Sequence, residues 1–190
     1  MLLYIIVIIA CASVFNALDC LVFIPPPDTP VWFVSLGVWG STVAVIALDA
    51  LLAWACRAAR NRMNPFSRFF AVSQKGKRVL TKLGVRRFKR FLPDLGKVVK
   101  FAKGKIAEPD NKDYIYQYML ESCSGELGHW AGILFGFLIV FLFPLKYCLY
   151  FGIPVAFVNA VLSLLPALSL RYNRYALTLL YKKLERKEQN

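Results

Sequence analysis

Apolar residues in this chain come in blocks separated by a long basic middle, and those blocks set the first structural expectation. Met1 to Ile24 carries one charge, Asp19, and Val31 to Ala55 carries one, Asp49; each is long enough to cross a hydrocarbon core. Trp130 to Leu145 is shorter and needs its helix to begin a turn earlier, whereas Tyr147 to Leu170 is a full span interrupted by Pro154 and Pro166. The pattern predicts an all-α integral membrane protein with about four transmembrane helices. Met1 to Ala10 has no basic n-region and no convincing small-x-small cleavage site follows, so a retained helix is expected in preference to a cleaved signal.

Between the second and third blocks the pattern changes. From Gly76 to Phe91 the apolar Leu80, Leu83, Phe88 and Phe91 recur at approximate helical spacing among Lys77, Arg78, Lys82, Arg86, Arg87, Lys89 and Arg90. Leu95 to Ile106 repeats the theme, with Val98, Val99 and Phe101 set against Lys97, Lys100, Lys103 and Lys105. Both segments are predicted to be amphipathic interfacial helices, apolar side down and basic side toward anionic headgroups, the first ended by Pro93. Four regions follow: an N-terminal transmembrane hairpin (1–56), a basic cytoplasmic or interfacial segment (57–112), a helix leading into a C-terminal transmembrane hairpin (113–174) and a basic cytoplasmic tail (175–190).

Composition strengthens the membrane reading, since 58% hydrophobic residues and a mean hydropathy of +0.51 exceed what an ordinary soluble domain carries. Seventeen of the 24 lysines and arginines lie between Arg57 and Lys112, six lie from Arg171 onward, and only Lys146 lies elsewhere. The positive-inside rule then makes this a multi-pass protein of the cell membrane with both termini cytoplasmic. The net charge of +13 is read as topology, with no nucleic-acid partner, because no nucleic-acid motif accompanies it. Cys11, Cys20, Cys56, Cys123 and Cys148 show no C-x-x-C spacing and read as small buried hydrophobes.

Candidate chemistry gathers in Glu121-Ser122-Cys123-Ser124-Gly125-Glu126-Leu127-Gly128-His129-Trp130. Asp110 or Asn111 can cap the helix that holds it, and Ile115, Met119, Cys123, Leu127 and Trp130 form an inward stripe. Glu121, Gly125 and His129 occupy another face. Glu126 lies about 60° and 4.5 Å from His129 on helical geometry, so the two side chains can touch, while Glu121 is about 12 Å away along the axis. Gly125 and Gly128 remove bulk, which lets another helix or a flat substrate approach the backbone. The only histidine of the chain, beside a carboxylate at the threshold of an apolar run, suits proton transfer; the competing reading is a polar pair that holds helices together. Glu-x-x-His also occurs in metal sites, but with no second histidine no metal is expected. Asp19 and Asp49 are expected to pair across the first hairpin in preference to binding substrate, and Tyr114, Tyr116 and Tyr118 to be interfacial aromatics.

Three blocks in order carry a resemblance. The Glu121 to Trp130 string, Phe88-Lys89 with Leu92-Pro93-Asp94-x-Gly96, and Arg171-Tyr172-Asn173-Arg174 resemble the signatures of the glycosyl-4,4'-diaponeurosporenoate acyltransferase family, membrane proteins that attach a terminal fatty acyl group to the sugar of staphyloxanthin-type carotenoids. The likeness runs from about Val38 to the C-terminus. Ser124 stands where the family often has a basic residue, and Leu170 where a glutamine usually precedes the last block. The resemblance implies acyl transfer to a hydroxyl, which asks for a base and for donors to a developing oxyanion. His129 is then the base and Glu126 its orienting carboxylate. Glu121, Trp130, Arg171, Asn173, Arg174, Lys89 and Asp94 are substrate-binding, with the two arginines free to pair with a phosphate, a carboxylate or the oxyanion, or to be plain positive-inside anchors. No cofactor is expected to be bound tightly; the acyl donor is acyl-coenzyme A, acyl-carrier protein or a phospholipid, the acceptor a glycosylated isoprenoid, and the partners membrane lipids. The alternatives are a lipid-binding or accessory scaffold without catalysis, and another lipid-modifying transferase.

Overall fold

The computed structural model describes residues 2–22, 29–92 and 106–189, and within them every regular element is a helix. The order is α1 (Leu2–Leu21), α2 (Val31–Ala58), a 3-10 turn (Arg60–Arg62), α3 (Gln74–Lys82), α4 (Val85–Phe88) and α5 (Lys112–Gly136). A 3-10 segment (Phe137–Leu142), the single turn α6 (Leu145–Tyr147), a π-turn (Cys148–Gly152) and the long α7 (Ile153–Gln189) complete it. Three stretches are long and apolar enough to cross a membrane: Val31–Ala58, Lys112–Leu142 and Tyr150–Gln189. The first block contributes a shorter apolar helix, Ile6–Leu21, so the count reached here is three against the four predicted. Large side chains on these helices face outward, among them Leu36 at 62%, Trp54 at 70% and Phe141 at 82% exposure, as lipid-facing residues do.

Two ends of the predicted spans move. The third begins at Lys112, well before Trp130, because the stripe from Ile115 to Cys123 is itself a buried helix face. Leu127 and Trp130, the last two members of that stripe, are only partly buried. The fourth runs through Pro166 without a break and on to Gln189, so the predicted tail is helical. Pro154, the second residue of α7, stands where the π-turn passes into the α-helix.

The chain divides into two compact units, each described by itself. The first comprises Met1–Leu52 and Trp130–Leu164. Its core joins Ala12 of α1, Val34 and Val38 of α2, and Phe151. The Phe151 ring seats on Gly37, where an added Cβ would lie 2.7 Å from it, and stacks on Tyr147 at 5.6 Å between centroids. A second apolar cluster joins Val45, Ile139, Val155 and Ala156. Asp49 is partnered by Asn159 at 3.5 Å, which also donates to the Gly132 carbonyl at 3.2 Å. The expected pairing of Asp19 with Asp49 is therefore corrected: Asp49 takes an amide across α7, and the buried Asp19 leaves Oδ2 without a hydrogen-bond partner.

The second unit comprises Ala53–His129 and Leu165–Asn190. Here α5 and the C-terminal half of α7 run antiparallel around Ile115, Met119, Leu177 and Leu184. Tyr116 meets Tyr181 at 5.9 Å between ring centroids, and Lys112 pairs with Glu188. Tyr114 and Tyr118 pack at the same cluster, a role in the core alongside the interfacial one predicted. The stretch Gly76 to Phe91 is two short helices, not one. Ser73 caps α3 by accepting from the Gly76 amide, and Gly84, at φ 77°, turns the chain into α4. The break puts Leu80 and Val85 together against Tyr172 of α7 and leaves Leu83 and Phe91 exposed. Pro93, Asp94 and most of Leu95 to Ile106 lie outside the described residues.

Candidate active site

Glu126 has no solvent exposure, and its partners include two arginines. Its Oε2 takes Arg174, and its Oε1 lies 3.3 Å from Arg171. Arg174, 1% exposed, uses all three of its nitrogens: Nε donates to the Phe70 carbonyl at 3.0 Å, Nη1 to the Cys123 sulfur at 3.5 Å and Nη2 to Glu126. Arg171 also donates to the Phe69 carbonyl. The spacing of three residues puts both guanidiniums on one face of α7, toward α5 and the turn at Phe69 and Phe70. The two arginines, expected to bind substrate or to act as positive-inside anchors, are both paired with a side chain of the protein itself. Taking these charges out of water is repaid by such pairing.

His129 follows one helical turn after Glu126 and is partly buried, as is Trp130 next to it. The neighbouring glycines serve helix approach. A Cβ on Gly128 would meet the Ala53 main chain at 3.4 Å, and one on Gly125 would lie 3.1 Å from the Leu170 side chain. Leu170 thus packs where the resemblance leads one to expect a glutamine. Cys123 is buried, and all five cysteines are free thiols.

Glu121, one to two turns earlier on α5, is held by Arg60 and lies 3.5 Å from Arg57. Neither arginine was singled out from the sequence, though each stands at the apolar-to-basic step that ends α2. Lys89 and Asn173, which were, come together: the ammonium donates to Asn173 Oδ1 at 3.0 Å. Lys77 joins them unannounced. It donates to the Tyr172 carbonyl at 2.9 Å and lies 3.0 Å from the centre of the Tyr172 ring, with Lys89 4.9 Å from the same centre. Burial pulls the Lys77 ammonium below the usual lysine range, opposed by Tyr172 and reinforced by the charge of Lys89. Among the described residues no three His, Cys, Asp or Glu side chains gather as a metal site would require.

Residues 61–183 match the sequence profile described as glycosyl-4,4'-diaponeurosporenoate acyltransferase. The chain belongs to this family. No curated protein and no solved structure matches it. The glycosyl-4,4'-diaponeurosporenoate acyltransferase match begins at residue 61 rather than near Val38, so α1 and α2 lie ahead of it. Within it fall Glu121, Glu126, His129, Lys77, Lys89 and the Arg171 to Arg174 block; Arg57 and Arg60 fall just outside. The residues of the Glu126 clamp thus lie inside the stretch matched to this acyltransferase family, while the arginines on Glu121 lie ahead of it.

Proposed function

We propose that this chain is a multi-pass membrane O-acyltransferase that moves a fatty acyl group onto a hydroxyl of a glycosylated isoprenoid lipid of the carotenoid type, with His129 as general base. One observation carries the reading: the only histidine stands a helical turn beyond a carboxylate that two arginines fix in place. A solvent-exposed glutamate would sample many rotamers, whereas one held at both oxygens presents a constant field to its neighbour on the helix.

In the proposed step the imidazole nitrogen takes the acceptor hydroxyl proton as that oxygen attacks the acyl carbonyl carbon. The tetrahedral adduct collapses by expelling the leaving group, thiolate from a thioester or alkoxide from a phospholipid ester, which recovers the proton from the imidazolium. Glu126 stabilises the transient positive ring. Arg174, buried against Glu126, acts as its brace, and Arg171, 29% exposed at its side chain, is the arginine able to reach a substrate. Trp130 supplies a flat face for sugar or polyene, and Glu121 a sugar-hydroxyl acceptor at the rim.

The test is His129→Ala in membranes supplied with labelled acyl donor and glycosylated carotenoid acid. Product is expected to disappear while the variant inserts and melts as the wild type does. A scaffold without catalysis gives the reverse: no labelled product from the wild type, and a lower melting temperature for the variant.

A further inference from the structure

Three sets of cations line this part of the chain, and they are balanced differently. Arg57 and Arg60 face Glu121, and Arg171 and Arg174 face Glu126. Lys77 and Lys89 gather at Tyr172 with a main-chain carbonyl, an amide oxygen and aromatic faces for partners, and among the described residues neither pairs with a carboxylate. From Ala50 through Pro93 there are twelve lysines and arginines and no aspartate or glutamate; Asp94, five residues after Lys89, lies outside the described residues. One ammonium on a tyrosine face completes a cation–π pair. A second on the same ring adds like-charge repulsion in partly buried surroundings, which an anion between them relieves.

We propose that Lys77 and Lys89, gathered at Tyr172 and Asn173, bind a phosphate group of the acyl donor. The identification as donor rests on the acyl-transfer reading; the phosphate site itself does not. Two compact ammoniums suit a phosphate, which needs charge and several donors more than planar recognition. The position fits the chemistry as well. Tyr172 and Asn173 stand between Arg171 and Arg174, so a single turn of α7 carries the phosphate site and the brace of Glu126. A donor tethered there delivers its acyl end to the segment that bears His129. Phosphate occurs both in coenzyme A and in a lipid headgroup, and the shared chemistry is what the lysines read.

The experiment is calorimetric titration of the purified full chain, in uncharged detergent, with coenzyme A and separately with short-chain phosphatidic acid. Binding is expected from at least one probe, weakened roughly tenfold or more in the Lys77→Met/Lys89→Met double variant. Lys77→Arg/Lys89→Arg restores most of it, and Arg78→Met, which removes an exposed charge on the same helix, leaves it as in the wild type. Heat with coenzyme A places the phosphate on a soluble thioester, and heat with phosphatidic acid alone places it on a lipid. Because Lys77 also holds a carbonyl of α7, Lys89→Met alone, with an unchanged melting curve, gives the same test at smaller amplitude. No binding by either probe, wild-type binding by the double variant, or an equal loss in Arg78→Met overturns the site. His129→Ala is expected to bind both probes as the wild type does, so a failed base assignment and a failed phosphate site give different results.

Discussion

A glutamate sealed from water costs several kcal/mol unless its charge is met, and at Glu126 that charge is met by two arginines. Removing either side strands the other. Glu126→Gln and Arg174→Met are each expected to lower stability by roughly 3–5 kcal/mol, and the double variant to recover most of the loss. Thermal melts in detergent of all four proteins check this, and additive losses would mean the pair is not coupled. Part of this site was legible beforehand. The spacing of Glu126 and His129 is a property of one helix, and helical geometry is local. Arg171 and Arg174 sit 45 and 48 residues downstream of Glu126, and a tertiary ion pair leaves no periodic trace, so sequence alone did not join them to it. Lys77 was hidden for the same reason, one cation in a basic run until the fold set it on a ring. Asp19 and Asp49 show the converse error, two intramembrane charges expected to pair although the amide of Asn159 offers Asp49 a neutral partner.

At the scale of elements, the basic middle was read as continuous because Leu80, Leu83, Phe88 and Phe91 keep near-helical spacing across Gly84. Period cannot reveal a glycine that takes a positive φ; only the backbone does. A Cβ at Gly84 would meet nothing within 4 Å, so its cost is purely conformational. Gly84→Ala is expected to cost about 1–2 kcal/mol and to expose the α3–α4 turn. Limited proteolysis between Lys82 and Arg86 measures it, and wild-type resistance would show that the turn does not need its glycine. Long apolar elements were the easier reading, since α2, α5 and α7 each keep a run that hydropathy detects. Their ends were not, because a buried stripe such as Ile115 to Cys123 continues a helix where hydropathy has already fallen.

For the molecule as a whole, charge asymmetry gives a sidedness that the helix count modifies. With basic residues from Arg57 to Lys112 and from Arg171 onward, the positive-inside rule predicts the middle and the C-terminus inside, whether or not α1 crosses. The N-terminus depends on α1 alone. A reporter active only in the cytoplasm is expected to signal from both ends; silence at the N-terminal fusion would show three crossings and an external start.

Two fastenings hold α5 against the end of α7: Lys112 with Glu188 at one extremity, Glu126 with Arg171 and Arg174 at the other. A strip riveted at both ends cannot creep along its neighbour. The height at which the imidazole stands beside the arginine row is thereby set by the number of residues between rivets, and one residue inserted or lost in that interval would shift it.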